Sequence, residues 1–150
     1  MLIADIDDVE RVASEITDSA RALMEKYWPG PLSIILKKNK ALPDVVTAGT
    51  DTVAVRLTSN EVLRKIIQEA GCPIVAPSAN ISGKPFNVRA KDTVRDFEGL
   101  VDMIIEGDGS VSGVESTLID MCGGHHKLIR EGAIPATCLS FQTLEGGPKN

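Results

Sequence analysis

Arg56, Ser78, Asn80, Ser116 and Arg130 are the residues of this chain whose types and placement suit a chemistry. Guanidinium groups, short hydroxyls and an amide hold anionic substrates by charge and directed hydrogen bonds. Arg56 ends an alternating run and precedes a helical pattern, and in α/β sheets ligands collect outside the carboxyl ends of strands. Thr52 shares its face, four residues or roughly 13 Å back along the strand. The two residues either line one elongated pocket or stand as a snorkelling arginine and a surface threonine at a sheet edge. Ser78-Ala79-Asn80 follows an apolar run and Pro77. If extended, it turns the Ser78 hydroxyl and the Asn80 amide to one side, toward a ligand or toward the backbone of the turn itself. Lys84, Arg89, Lys91 and Arg95 form a local cationic cluster interrupted by Asp92, a distribution that suits phosphate or RNA and equally a solvated loop. Ser116 opens one strand and Arg130 lies on the next, so a hairpin turning at Gly123-Gly124 puts both on neighbouring backbone.

Other motifs are excluded by their own geometry. In GDGSVSG, Gly107-Asp108-Gly109 lacks the third glycine of a dinucleotide loop, and no Gly-Lys-Ser/Thr follows. A nucleophile elbow needs serine where Val111 stands between Gly109 and Gly113. Cys122, His125 and His126 flank the Gly-Gly turn near Asp120, but adjacent histidines without a further partner make a poor metal set. The expectation is that no structural metal is held. No histidine accompanies the serine-rich segment and no cysteines pair as CxxC, so covalent catalysis lacks machinery. Positioning and charge stabilisation remain.

The elements that position these residues alternate between helical and strand periods, the punctuation of an α/β domain. Val9, Val12, Ala13 and Ile16, then Ala20, Leu23, Met24 and Tyr27, predict two short consecutive helices between Asp8 and Tyr27, with Asp18 as the second N-cap. Pro29-Gly30-Pro31 ends them, and Leu32 to Lys37 reads as a buried strand. Thr52 to Leu57 alternates, with Val53, Val55 and Leu57 inward. Ser59 or Asn60 caps a helix to Ala70 whose stripe is Val62, Leu63, Ile66 and Ile67, with Gly71 at its C-terminus. Ile74 to Ala76 and Asp102 to Glu106 read as strands, a short helix ends near Gly99, and Ser116 to Met121 and Lys127 to Arg130 form the hairpin. Residues 1–135 constitute one domain, and residues 136–150 a weakly patterned tail.

The 150 residues carry 16 Lys plus Arg against 21 Asp plus Glu, a net charge of −5. That balance, with five aromatics in all, argues against a broad nucleic-acid surface and leaves weak RNA binding at a local patch of Lys84, Arg89 and Lys91. A hydrophobic fraction of 43% belongs to an ordinary globular domain. No apolar run reaches the ~18 residues of a membrane span. The acidic start MLIADIDD is unlike a secretory signal, and three unpaired cysteines suit a reducing compartment. These features point to a cytoplasmic protein that does not enter a membrane.

Taken in order, YWPGPLSIILKK, DTVAVRL, APSANISGKP, GVESTLID and LIREGAIP resemble the YrdC-like family of threonylcarbamoyl-AMP synthases from about Asp5 to Pro135. The resemblance implies a twisted mixed sheet with flanking helices around a concave, positively charged pocket. It implies an enzyme that makes threonylcarbamoyl-adenylate and pyrophosphate from L-threonine, bicarbonate and ATP with Mg2+. Its product would feed a threonylcarbamoyl transferase machinery that modifies adenosine 37 of tRNAs reading codons that start with A. By motif, Arg56, Ser78 and Ser116 would hold threonine, and Thr52, Asn80 and Arg130 the ATP. Phe86-Asn87-Val88 stands where the family often has a serine or threonine on the nucleotide.

The family's earlier PT-x-T-x-YGL-type strand and its Lys-x-Arg phosphate motif do not occur in this chain. The expectation is an N-terminally truncated domain, with little synthase activity of its own and an exposed strand edge that favours a homodimer. The alternatives are a non-catalytic nucleotide- or RNA-binding module of the same fold and a carbamoyl-adenylate-forming domain with another acceptor.

Overall fold

A computed structural model describes residues 1–81, 83, 87, 89–106, 113–124 and 126–139. The first strand, β1 (Leu2–Ile3), is followed by a one-turn helix α1 (Val9–Val12), a two-residue strand β2 (Ala13–Ser14) and helix α2 (Asp18–Tyr27). Thr17, not Asp18, caps α2: its hydroxyl accepts the Ala20 N–H at 3.2 Å. The helix stops at Trp28 because Pro29 disfavours helical backbone in the residue before it. β2 interrupts the expected pair of helices because Ala13 and Ser14 pair antiparallel with Lys38 and Lys37, at the far end of the next strand.

That strand, β3 (Leu32–Lys38), is the centre of the sheet. It pairs antiparallel with β4 (Thr52–Leu57) and parallel with β5 (Thr117–Asp120). β5 pairs antiparallel with β6 (Lys127–Arg130) around the Gly123-Gly124 turn, where both glycines adopt positive φ. β1 runs parallel to β4, which gives the order β1-β4-β3-β5-β6. The fold is a mixed α/β sheet with flanking helices. Among the described residues no helix is long and apolar enough to cross a membrane.

The core lies on one face of this sheet. Leu32, Ile34, Leu36, Val53, Val55, Leu57 and Ile119 alternate inward to meet Val9, Val12, Ala20, Leu23, Met24 and Trp28. Ser33, Ile35, Ala54, Arg56 and Leu118 consequently point to the other face, which the core helices leave open.

Three expectations fail, two of them because the outer end of the sheet offers little surface. Helix α3 (Glu61–Ala70) is capped by Asn60 and closed by left-handed Gly71, as its sequence predicts. It packs on two-residue β1, and of its stripe only Ile67 is buried, while Val62 is 59% exposed. Ile74 to Ala76 contributes a single bridge, Leu2 to Ile74, rather than a strand. That bridge lies on the side of β1 away from β4. Asp102 to Glu106 forms no strand, and Met103 and Ile105 remain exposed. Helix α4 (Ala90–Phe97) matches the short helix expected before Gly99. At the other end, Leu139 is buried in the core and the Tyr27 hydroxyl donates to the Cys138 carbonyl at 2.6 Å. Residues 136–139 therefore pack with the domain.

Candidate active site

The open face of the sheet holds a cleft of about 520 Å3. Arg56 from the end of β4, Ser78 from the segment after Pro77, Ser116 from just before β5 and Arg130 from the end of β6 line it together. Thr52 and Asn80 are not among its walls. Thr52 shares the outward face of β4 with Arg56 but sits opposite Lys37 at the other end of the strand. The Asn80 amide donates to the neighbouring Ile81 carbonyl at 3.3 Å.

Arg56 is half-buried, its Nε lacks a hydrogen-bond partner among the described residues, and burial holds its guanidinium below the ordinary arginine value. The α-amine of Met1 lies beside it and is lowered first by burial and then by the Arg56 charge. Both shifts have the sign expected of cations held away from water without a counter-ion. An anion entering the cleft would meet a guanidinium already stripped of part of its hydration.

Arg130 is differently placed. Its Nε and Nη2 donate to the Ser116 carbonyl at 3.2 and 3.0 Å, and its Nη1 to Glu115 Oε1 at 2.8 Å. Of the five N–H groups of a guanidinium, two remain for a ligand. Sequence reasoning did not find Glu115, which brings a negative charge into the wall of the cleft.

The backbone beneath Ser116 is held closely. The Thr117 hydroxyl, fully buried, donates to the Ile134 carbonyl at 2.7 Å and accepts from the Ile134 and Gly132 amides at 2.9 and 3.0 Å. Gly132 is required for this approach: a Cβ there would lie 2.3 Å from the Glu115 carbonyl oxygen and 2.7 Å from the Thr117 nitrogen.

Ser33 is the other lining residue with a polar side chain that sequence reasoning missed. Its Oγ is 2.8 Å from Ser116 Oγ. The signal was available, since Leu32, Ser33 and Ile34 alternate as Val53, Ala54 and Val55 do on the paired strand, which puts a hydroxyl on the open side.

The remaining expected residues lie elsewhere. Lys84 falls outside the described residues, as do His125, residues 107–112 of the glycine-rich loop, and Phe86 and Val88. Arg89 pairs with Asp92 at 3.8 Å, and Arg95 with Asp92 and Asp96 at 3.1 Å each. Lys91 is exposed on α4. Near the Gly-Gly turn, Asp120 Oδ1 accepts the Cys122 amide at 2.9 Å, and His126 Nε2 lies 3.0 Å from Ser19 Oγ. Among the described residues no three metal-ligating side chains come together. The Cys122 thiol is pushed up to about 11, chiefly by burial and then by its hydrogen bond with Asp120 and the charge of that carboxylate.

Comparison with known proteins adds the following. The Sua5_yciO_yrdC family model, described as telomere recombination, matches residues 1–132. The threonylcarbamoyl-AMP synthase of Pyrococcus abyssi is 44% identical over 133 residues, covering 89% of this chain and 39% of that protein. The Bacillus subtilis threonylcarbamoyl-AMP synthase is 40% identical over 133 residues, covering 88% and 38%. The crystal structure of P. abyssi Sua5 complexed with L-threonine superposes with a TM-score of 0.85 at 43% identity, covering 91% of this chain and 40% of that one. The chain thus spans about two fifths of the length of these relatives.

Proposed function

The chain belongs to the Sua5/YciO/YrdC family, and on that premise we propose that its cleft is the amino-acid and nucleotide site of a threonylcarbamoyl-AMP synthase. The observation that carries this reading is Arg56: a half-buried guanidinium with no carboxylate partner among the described residues, in a cleft shared with three serine hydroxyls and a second guanidinium. In this reading Arg56 takes the carboxylate of L-threonine, and Ser78 and Ser116 bond its polar groups. A buried charge-assisted bond of this kind is among the stronger polar contacts.

ATP, with Mg2+ as the counter-ion of its phosphates, enters as substrate beside Arg130 and extends over the open sheet face. In this reading its far end meets Thr52, roughly 13 Å from Arg56 along β4, and Asn80. The threonine nitrogen and bicarbonate give a carbamate with loss of water, and the carbamate oxygen displaces pyrophosphate from the α-phosphate. Negative charge builds on the phosphates, where cations placed in advance lower the barrier. The threonylcarbamoyl-adenylate would pass to a transferase acting on tRNA. Ion pairing of Arg89 and Arg95 with acidic neighbours leaves that region little net charge for RNA.

Calorimetry with L-threonine and ATP on the wild type, Arg56→Ala and Arg130→Ala tests the assignment, together with pyrophosphate release in the presence and absence of threonine and bicarbonate. Arg56→Ala is expected to weaken threonine, and Arg130→Ala to weaken ATP, each by about 1.5–3 kcal/mol. Unchanged affinity for both ligands in both variants refutes it. Pyrophosphate release that ignores threonine assigns the cleft to another acceptor.

A further inference from the structure

We infer that Ser33 is a positioning residue of the cleft, which fixes the Ser116 hydroxyl so that the two serines together select an amino acid bearing its own hydroxyl. The inference rests on the reading of Ser116 as a threonine contact and deepens it.

Both backbones are immobilised. Ser33 sits on β3 between fully buried Leu32 and Ile34, with β4 bonded on one side and β5 on the other. The Ser116 carbonyl is held by Arg130, and the next amide, of Thr117, donates to the Pro31 carbonyl at 2.9 Å. What remains free at Ser116 is its side-chain torsion, with three staggered wells. The 2.8 Å contact with Ser33 Oγ selects one of them.

The pairing also decides what the two hydroxyls offer. Each has one proton and two lone pairs. One proton and one lone pair are consumed between them, which leaves a single O–H to donate and lone pairs to accept. A ligand hydroxyl donates and accepts at once, so it completes the chain in either orientation of the pair. A methyl group in the same place leaves a part-buried hydroxyl without a partner, which sites of this kind penalise strongly. The chemical class selected is therefore a β-hydroxy amino acid over its apolar isostere, L-valine.

The experiment compares L-threonine and L-valine binding by calorimetry for the wild type, Ser33→Ala, Ser33→Thr, Ser116→Ala and the Ser33→Ala/Ser116→Ala pair. Ser33→Ala should weaken threonine by about threefold to tenfold and leave valine within twofold. Ser33→Thr, which keeps the hydroxyl on a strand that suits a β-branched residue, should restore threonine. Ser33→Ala should have no further effect once Ser116 is alanine. If Ser116→Ala weakens threonine and Ser33→Ala does not, the positioning role is overturned while the threonine reading stands. If Ser116→Ala changes nothing, the threonine reading itself fails. A ligand-free readout accompanies these: the Hα–Hβ couplings of Ser116 by NMR should report one rotamer in the wild type and averaging in Ser33→Ala. Averaging in the wild type, or a fixed rotamer in Ser33→Ala, overturns the inference without any ligand.

Discussion

Replacing Thr117 by valine changes the shape of one buried side chain very little and removes a hydroxyl whose single proton and two lone pairs are all engaged. Three backbone groups lose their partner. The Ile134 carbonyl and amide are buried, and stranding each costs about 1–3 kcal/mol. The Gly132 amide is part-buried and recovers water, at about 1 kcal/mol or less. The added methyl returns about 0.8 kcal/mol of apolar burial. The net loss is about 1–6 kcal/mol, set against the 5–15 kcal/mol that stabilises a typical domain. At roughly 2–4 °C per kcal/mol for a chain of this size, Tm should fall by about 2–24 °C. Calorimetric unfolding of the wild type, Thr117→Val and Thr117→Ser measures it. Thr117→Ser keeps all three hydrogen bonds and should lose only the methyl, about 1 kcal/mol. A Thr117→Val protein within 2 °C of the wild type, or no more damaged than Thr117→Ser, refutes the view that this hydroxyl fastens the 132–134 segment to β5.

Glu115→Gln should raise ATP affinity about twofold to fivefold, because it removes a negative charge from the cleft wall and weakens the hold on an Arg130 N–H; the pair is substantially exposed, so the gain stays within about 1 kcal/mol. Unchanged or weaker ATP binding in a filter or calorimetric assay counts against a nucleotide site beside Arg130. Iodoacetamide at pH 8 should label exposed Cys72 and Cys138 well before Cys122, whose thiol is held protonated; equal rates by mass spectrometry contradict the shift. The same shift sets a direction in pH. Below the ordinary thiol value of 9.0 the group is neutral folded and unfolded and its contribution is fully present; between there and about 11 the unfolded chain ionises first and stability declines. Urea midpoints of Cys122→Ala should fall less over that window than those of the wild type, and parallel curves contradict the shift.

Where local chemistry decides, the sequence was readable. Thr52 to Leu57 could alternate in only one way once Val53, Val55 and Leu57 sought a core, and that alternation put Arg56 on the open face. Asn60 and Gly71 marked the ends of α3 by backbone requirements of their own. Where a tertiary partner decides, it was not. Ala13 and Ser14 continue a helical stripe in sequence, yet the end of β3 offers them a ladder. Val62 and Ile66 have helical spacing, but β1 is too short to cover them. Asp102 to Glu106 has strand composition and no strand to pair with. Among the site residues, Arg56, Ser78, Ser116 and Arg130 were chosen on type and strand-end position, and the structure brings them to one cleft. Ser33 is legible from the alternation of β3 alone, whereas Glu115 is an exposed glutamate that nothing in the sequence ties to the cleft until Arg130 lies beside it.

The position of β3 has a consequence for the order in which the molecule assembles. Ile34 pairs with Val55 on one side and with Ile119 on the other, so one neighbour is close in the chain and the other comes from its distant part. Contacts between remote segments form late, since the loop between them must be closed first. The cleft is divided along this seam: Ser33 and Arg56 stand on the two strands that are close in the chain, Ser116 and Arg130 on the side contributed by its distant part. A substrate that reaches both halves acts as a cross-brace. By mass action such a ligand at one hundred times its Kd adds about 2.7 kcal/mol. Amide exchange along β5 and β6 should slow on substrate binding more than exchange along β4, because those are the strands whose detachment opens the site.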